Sequence, residues 1–240
     1  MDFSIDNFQY VQKNSCGNFT LSIPTFYIKK GEVIFLYGGS GSGKSTFFNL
    51  IAGVKKSTLG KDVRNSFPKI EYVMHESKLL PWHTLKNNIK VINKLNGSVD
   101  LEDLTLISQS LGLEKNILNM KNWQLSLGMR QRFEISIAIA NKPDLIIFDE
   151  ALSGIDNKHK VIVCKVLYGF IKKNQTAFLG TAHQISDILR LAERVIYIKD
   201  GVILNHIFIK SKSVEERLNM DLDQLYALPE AKLLINMNLE

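Results

Sequence analysis

The chain has 240 residues, of which 45% are hydrophobic, so it can bury a large core as one domain or as one domain with an inserted lobe. Lysine and arginine outnumber acidic residues by 30 to 24, and the net charge of +6 would suit a polyanionic partner but is equally typical of an ordinary basic protein. No apolar run approaches the ~20 residues that a membrane-spanning helix needs. The N-terminus lacks the apolar segment of a signal sequence, and the two cysteines lack CxxC spacing, which predicts a cytoplasmic chain with reduced thiols.

The N-terminal segment predicts β-structure. Two antiparallel strands are expected at residues 3–10 and 19–28, followed by a turn at Lys30-Gly31 and a short apolar strand at residues 33–36. The last of these strands leads directly into the most informative stretch of the chain.

Residues 37–46, YGGSGSGKST, lie between that strand and an apolar helix predicted from Lys44 to about Ala52. Their GxxxxGKS spacing is typical of a loop whose backbone N–H groups converge on a phosphate, with a helix N-terminus behind them. Lys44 would reach the β- and γ-phosphates of a nucleoside triphosphate, and the Ser45 hydroxyl would coordinate Mg²⁺. A flexible linker is the alternative interpretation, which the apolar flanks disfavour. The predicted phosphate contacts are Gly38, Gly39, Ser40, Gly41, Ser42, Gly43, Lys44, Ser45 and Thr46.

The middle of the chain changes from strand patterns to helix patterns. Residues 55–66 predict a loop or a short edge strand, and residues 70–74 predict a short apolar strand. Helical spacing then dominates residues 84–142, where Asp100 is a predicted N-cap and Pro143 is expected to stop the last helix. We therefore expect an α-helical lobe inserted into an α/β core.

The second half of the chain alternates strands and helices. A strand at residues 144–148, apolar after its first residue, ends at Asp149-Glu150, and an apolar strand at residues 177–180 ends at Thr181-Ala182-His183. The remaining predicted elements are helices at 158–172 and 187–191, a hairpin of strands at 195–198 and 202–208, and a helical tail over 213–240 that Pro229 interrupts.

Three polar sites therefore follow apolar strands: the glycine loop, the pair Asp149-Glu150, and His183. Because open α/β sheets bind ligands at the carboxyl ends of their strands, we expect these sites to meet. Asp149 would hold the metal, directly or through water, and Glu150 would polarise the attacking water in phosphoryl transfer. An exposed acidic turn is the alternative interpretation of the pair.

Four motifs in this order resemble the ATP-binding-cassette (ABC) ATPases: the glycine loop, LSLGMRQR from Leu125, LIIFDEALSGID from Leu145, and TAH ending at His183. The resemblance covers residue 3 to about residue 208. It implies an α/β fold with a P-loop NTPase core of parallel sheet, an N-terminal antiparallel β-subdomain and an inserted α-helical lobe, all in a single domain over residues 1–240. It also implies that ATP and Mg²⁺ are bound.

The resemblance assigns roles to individual residues. Asp149 is similar to the Walker B aspartate, Glu150 to the catalytic glutamate and His183 to the switch histidine that contacts the γ-phosphate. Ser126 and Gly128 of the signature would contact a γ-phosphate bound by a second subunit, so that MgATP joins a head-to-tail homodimer or a heterodimer with a related subunit. The predicted catalytic residues are Glu150, His183 and Lys44.

Other positions depart from the family pattern or leave alternatives open. Tyr10 lies where the family places an aromatic residue that stacks on adenine, with Phe8 as a neighbouring alternative and ordinary strand packing as another. His75 stands at the Q-loop position that is usually glutamine, and a neutral imidazole replaces an amide only in part. Leu127 and Met129 replace two residues of the usual LSGGQ signature, which predicts a weaker contact across the dimer.

The resemblance predicts the ATP-hydrolysing subunit of a transporter, located at the cytoplasmic face of the membrane beside separate integral membrane permease subunits. Residues 79–82 (LLPW) and 128–132 (GMRQR) are similar to importer ATPases for nitrate, sulfonates and taurine. Trp82 and helix 85–95 are candidate permease contacts, although a buried tryptophan is the alternative. Three other functions stay open: a related cassette that serves export or lipid transport, a non-transport regulator of a membrane complex, and a DNA-associated ATPase. The segment before the signature lacks sustained heptads, so no nucleic-acid partner is expected.

Overall fold

A computed structural model describes residues 3–14, 17–55, 67–74, 76–95 and 99–237 of the chain. Within these residues, eight strands form one sheet in the order β1-β2-β8-β7-β3-β6-β5-β4. The strands are β1 (Phe3–Asn14), β2 (Gly17–Ile28), β3 (Val33–Tyr37), β4 (Ile70–Met74), β5 (Leu145–Asp149), β6 (Ala177–Thr181), β7 (Arg194–Lys199) and β8 (Val202–Phe208). The helices are α1 (Lys44–Ile51), α2 (Leu85–Leu95), α3 (Leu101–Ser110), α4 (Leu127–Ala140), α5 (Asn157–Asn174), α6 (Ile185–Leu191), α7 (Val214–Arg217), α8 (Leu222–Tyr226) and α9 (Pro229–Met237).

The sheet is mixed. Strands β4, β5, β6, β3 and β7 are parallel neighbours, whereas the pairs β1/β2 and β7/β8 are antiparallel. Parallel strands need helices on both faces, and successive residues of β3 show this arrangement. Val33 and Phe35 belong to the apolar cluster that contains α5 and α6, whereas Ile34 and Leu36 belong to the cluster that contains α1 and β2. The glycine loop and the acid pair thus leave a sheet that is buried on both sides.

The helices between β4 and β5 have an apolar cluster of their own, which includes Leu85, Leu104 and Phe133. Helix α4 connects this cluster to the sheet, because Phe133 and Ile137 pack in the lobe while Ile135 and Ile139 pack against the main core. This double burial explains why residues 135–140 of α4 are buried on every side of the helix rather than along one stripe.

Most predicted elements are present, with shifted ends. The first two strands are longer than predicted, because they pair with each other along their whole length, from Phe3 opposite Ile28 to Asn14 opposite Gly17. The predicted N-cap is confirmed: the Asp100 carboxylate accepts hydrogen bonds from the backbone N–H groups of Glu102 and Asp103, both at 2.9 Å. Most of the predicted loop at residues 55–66 lies outside the described residues.

The predicted break of the helical tail at Pro229 is present: α8 ends at Tyr226 and Pro229 begins α9, where a missing N–H group costs nothing because the first turn has no acceptor for it. A second break, which was not predicted, lies between α7 and α8, where Asp221 caps a new helix by accepting a hydrogen bond from Gln224 N at 2.8 Å. Among the described residues, no helix has the length and apolar character needed to cross a bilayer.

Two buried cations hold the helix that follows His183. Lys160 of α5 pairs with Asp187 of α6 at 2.7 Å and also donates a hydrogen bond to Gln184. The Arg217 guanidinium of the tail donates hydrogen bonds to the backbone carbonyls of Leu189 and Ala192. The helix after β6 is therefore anchored both to α5 and to the tail.

Candidate functional site

The glycine loop joins β3 to α1 and carries its lysine folded back over it. Lys44 Nζ donates hydrogen bonds to the carbonyl oxygens of Gly38 at 2.9 Å and Gly39 at 2.8 Å, with Ser42 Oγ at 3.5 Å. Gly43 precedes the helix with a φ of 106°, in the region that favours glycine. The loop is thus already wrapped around its own ammonium group.

The acid pair leaves the carboxyl end of β5. Asp149 accepts a hydrogen bond from the Tyr72 hydroxyl at 3.1 Å and another from Thr181 Oγ1 at 3.0 Å. Thr181 Oγ1 in turn accepts from the backbone N–H group of Glu150 at 3.1 Å. Glu150 has a φ of 57°, a left-handed conformation that costs a residue other than glycine about 1–3 kcal/mol. Such local strain is typical of functional sites.

His183 contacts Glu150 directly. His183 Nε2 lies 2.8 Å from Glu150 Oε2, and the two side chains are 69% and 33% exposed. The contact orients the carboxylate at the edge of a cleft rather than burying it.

The cleft has a volume of about 510 Å³, within the ~300–1,000 Å³ range of ligand pockets. It is lined by Phe19, Tyr37, Gly38, Gly39, Ser40, Gly41, Gly43, Lys44, Ser45, Thr46, Glu150, Ala182 and His183. Burial lowers the pKa of Lys44, while the nearby carboxylates of Glu150 and Asp149 act in the opposite direction. The structure therefore brings together Lys44, the acid pair and His183, which the sequence places at the ends of three different strands. Ser42, which belongs to the same loop, is buried and does not line the cleft.

Phe19 lines this cleft, and sequence reasoning did not single it out. Tyr10 is absent from the lining: its ring packs against the α1 side of the sheet, with Lys55 Nζ 5.5 Å from the ring centroid. Its role at adenine stays a prediction, and His75 lies outside the described residues. Phe19 reaches the cleft by packing on the glycine loop, since a Cβ added at Gly43 would lie 2.9 Å from Phe19 Cζ, and a local sequence pattern does not reveal such a contact between distant segments.

The signature residues lie elsewhere on the chain. Ser126 is exposed and caps α4, because its Oγ accepts a hydrogen bond from Met129 N at 3.2 Å. Gly128 packs against the loop at residues 153–156: a Cβ added there would lie only 2.8 Å from Gly154 O. Gln131 Oε1 accepts a hydrogen bond from Gly154 N at 3.0 Å, which joins the two segments into one surface. Neither Ser126 nor Gly128 lines the cleft of its own chain.

The cleft and the strand end beside it offer oxygen ligands that fit Mg²⁺. Ser45 presents an exposed hydroxyl at the start of α1, and the Asp149 carboxylate lies at the end of β5. Hard divalent cations prefer such oxygens, and Mg²⁺ takes one or two of them from protein and the rest from phosphates and water. The residues present therefore suit this ion.

A cleft of this size between a lysine-bearing glycine loop and an acidic strand end defines a P-loop nucleotide hydrolase. Comparison with known families narrows the class, because the sequence profile of the ABC transporter family matches residues 21–153, more than half of the chain. The chain belongs to the ABC transporter family and is an ATP hydrolase of that family. The expected ABC ATPase fold is confirmed by solved structures.

The chain is also similar to individual proteins of known sequence or structure. It is 31% identical to the aliphatic sulfonates import ATP-binding protein of Zymomonas mobilis, over 73% of this chain and 74% of that protein. It is 29% identical to a lantibiotic transport ATP-binding protein of Streptococcus pyogenes, over 88% of this chain and 92% of that protein. A dimeric structure of the cassette MJ0796 of Methanocaldococcus jannaschii, bound to ADP and Pi in a post-hydrolysis state, has a TM-score of 0.75 and 27% identity, and covers 88% of this chain and 100% of that one.

Proposed function

We propose that this chain is the ATP-hydrolysing subunit of a transporter, in which two subunits enclose two MgATP molecules head to tail and act on separate membrane permeases. One observation carries the proposal: the cleft and the exposed signature are on different surfaces of the same chain. A signature can therefore cover a cleft only if it comes from another subunit.

Within the cleft, the residues divide the work. The backbone of the glycine loop and Lys44 bind the phosphates, and Lys44 exchanges its two carbonyl contacts for phosphate oxygens. Ser45 and Asp149 would hold Mg²⁺, which would neutralise charge on the phosphates. Glu150 accepts a proton from the attacking water, and His183, already in contact with that carboxylate, keeps it oriented toward the γ-phosphate.

Across the dimer, the Ser126 hydroxyl and the N-terminus of α4 face the γ-phosphate held by the other subunit. The N-terminus of the 14-residue helix α4 favours an anion, and the exposed residue Ser126 caps this end of the helix. ATP then joins the two subunits, and its hydrolysis separates them. The dimeric, post-hydrolysis structure of the archaeal relative supports this assembly.

We further propose that residues 1–240 form one ABC ATPase domain, with a helical lobe at about 84–142 and a C-terminal tail at about 213–240. The sharing of α4 between the lobe and the main core supports a single unit. Trp82 is 65% exposed on the lobe, so the alternative of a buried tryptophan was wrong. In this proposal, the permease docks on the Trp82 ring and helix α2. The LLPW and GMRQR segments favour the importer branch that includes the sulfonate relative.

The function is tested by purifying the tagged chain from native membranes as the Glu150→Gln variant with MgATP, which should keep the subunits together. We expect an integral membrane protein to co-purify, and Trp82→Ala in the same background to lose it while still forming the ATP-dependent dimer. If the chain instead stayed out of the membrane fraction and bound DNA with a strong salt dependence, the DNA-associated class would replace the transporter class.

A further inference from the structure

The carboxylate of Asp149 is held at both oxygens. Thr181 Oγ1 donates to Oδ1 at 3.0 Å, and the Tyr72 hydroxyl donates to Oδ2 at 3.1 Å. Tyr72 belongs to β4, the strand next to β5, where it pairs with Ile147 two residues before Asp149. The tyrosine therefore reaches along the sheet to the end of the neighbouring strand.

The Tyr72 ring is fixed by its surroundings. It packs edge-on against Phe48 of α1, with ring centroids 6.4 Å apart and an interplanar angle of 86°. Lys78 Nζ lies 5.4 Å from the ring centroid and donates a hydrogen bond to Tyr72 O at 2.8 Å. The hydroxyl is thus delivered by a side chain that packs on the same helix that carries Ser45.

We propose that Tyr72 is a positioning residue for the magnesium site: its hydroxyl fixes the Asp149 carboxylate in the orientation that holds Mg²⁺. The inference rests on the proposed role of Asp149 as a metal-holding residue. The last torsion of an aspartate is broad, so a carboxylate held at one oxygen alone can still rotate. Two hydroxyl donors, one at each oxygen, remove that freedom and leave further lone pairs for the metal or its water.

The hydroxyl can be removed without removing the ring. Tyr72→Phe keeps the contact with Phe48 and the position of Lys78, and Asp149 keeps its hydrogen bond from Thr181. Loss of such an outer hydrogen bond typically lowers metal affinity about 10–100-fold. The matched control is Tyr226→Phe, which removes a hydroxyl from a partly exposed ring on α8.

The test measures binding of a fluorescent ATP analogue in a Mg²⁺ titration and in EDTA. For Tyr72→Phe we expect the Mg²⁺ concentration at half-maximal enhancement of binding to rise about tenfold or more. Affinity in EDTA and the urea midpoint should stay at the parent values, and Tyr226→Phe should match the parent throughout.

The Asp149→Asn variant distinguishes a failure of the positioning role of Tyr72 from a failure of the proposed metal-holding role of Asp149. If Asp149→Asn lost the Mg²⁺ enhancement while Tyr72→Phe kept it unchanged, the positioning role would be wrong and the metal site would stand. An equal loss of affinity in Mg²⁺ and in EDTA for Tyr72→Phe would show a packing role instead. An unchanged Mg²⁺ response in Asp149→Asn would overturn both the metal assignment and the inference.

Discussion

The cleft and the signature surface satisfy their polar groups in different ways. In the cleft, Lys44 rests on two loop carbonyls, Asp149 accepts from two hydroxyls, and Glu150 contacts His183. At the signature, Ser126 makes one cap within its own helix, and Leu127 beside it is 46% exposed. The first region is a binding site assembled within one chain, whereas the second is a surface presented to another. Nucleotide binding within one chain and contact with a second chain should therefore be separable by mutation.

The largest effect is expected from Glu150→Gln. The amide keeps the shape of the side chain but cannot accept the proton of the attacking water, so turnover should fall at least ~10²-fold. ATP affinity and ATP-dependent dimerisation should persist, because the phosphate contacts come from the loop. Steady-state phosphate release and size-exclusion chromatography measure the two properties. Hydrolysis at the parent rate would rule out Glu150 as the base.

Lys44→Ala should act on binding itself. A hydrogen bond to a charged group contributes about 1.5–3 kcal/mol, so ATP affinity should fall about 10–100-fold by equilibrium titration. Lys142→Ala is the matched control, since that lysine is exposed and pairs with Asp103 at 3.2 Å. Equal affinities for the two variants would contradict the assignment of the loop.

Gly154→Ala tests the contact that joins the signature to the loop at residues 153–156. An added Cβ would lie 2.6 Å from Leu127 and 2.7 Å from Gln131 Oε1, and such overpacking costs about 1–3 kcal/mol. We expect the free energy of unfolding, measured with urea, to fall by the lower end of this range, because the Leu127 side chain can move toward solvent. The ATP-dependent dimer should also be lost. Gly169→Ala in α5, where nothing lies within 4 Å of the new Cβ, should instead stabilise the chain by roughly 0.5–1 kcal/mol.

The smallest expected effect concerns Cys164, which is buried in the core on helix α5. Burial raises the pKa of its thiol to about 12, so it stays neutral and unreactive at pH 8. In a Cys16→Ser background, a maleimide should label the chain only after denaturation. Rapid labelling of the native chain would show that the helix α5 side of the core is open.

Sequence reasoning recovered what is encoded locally. The glycine loop, the apolar strands and the acid pair are contiguous patterns in the sequence. Because the carboxyl ends of parallel strands lie at one edge of a sheet, these patterns also predicted that the loop and the acid pair form one site. Contacts that depend on strand register were missed: Tyr72 and Thr181 on Asp149, and Phe19 in the cleft. The left-handed conformation of Glu150 was also missed, because nothing in its residue type favours it.

The central claim is that each active site combines the cleft of one subunit with the signature of another, and a mixing experiment tests it most directly. Ser126→Asp keeps an equally good N-cap but sets a negative charge against the phosphate of the partner. Lys44→Ala and Ser126→Asp should each be inactive alone. A mixed dimer of the two has one intact site, so an equimolar mixture should recover up to about a quarter of the parent ATPase rate. A mixture no more active than its components would contradict the shared site.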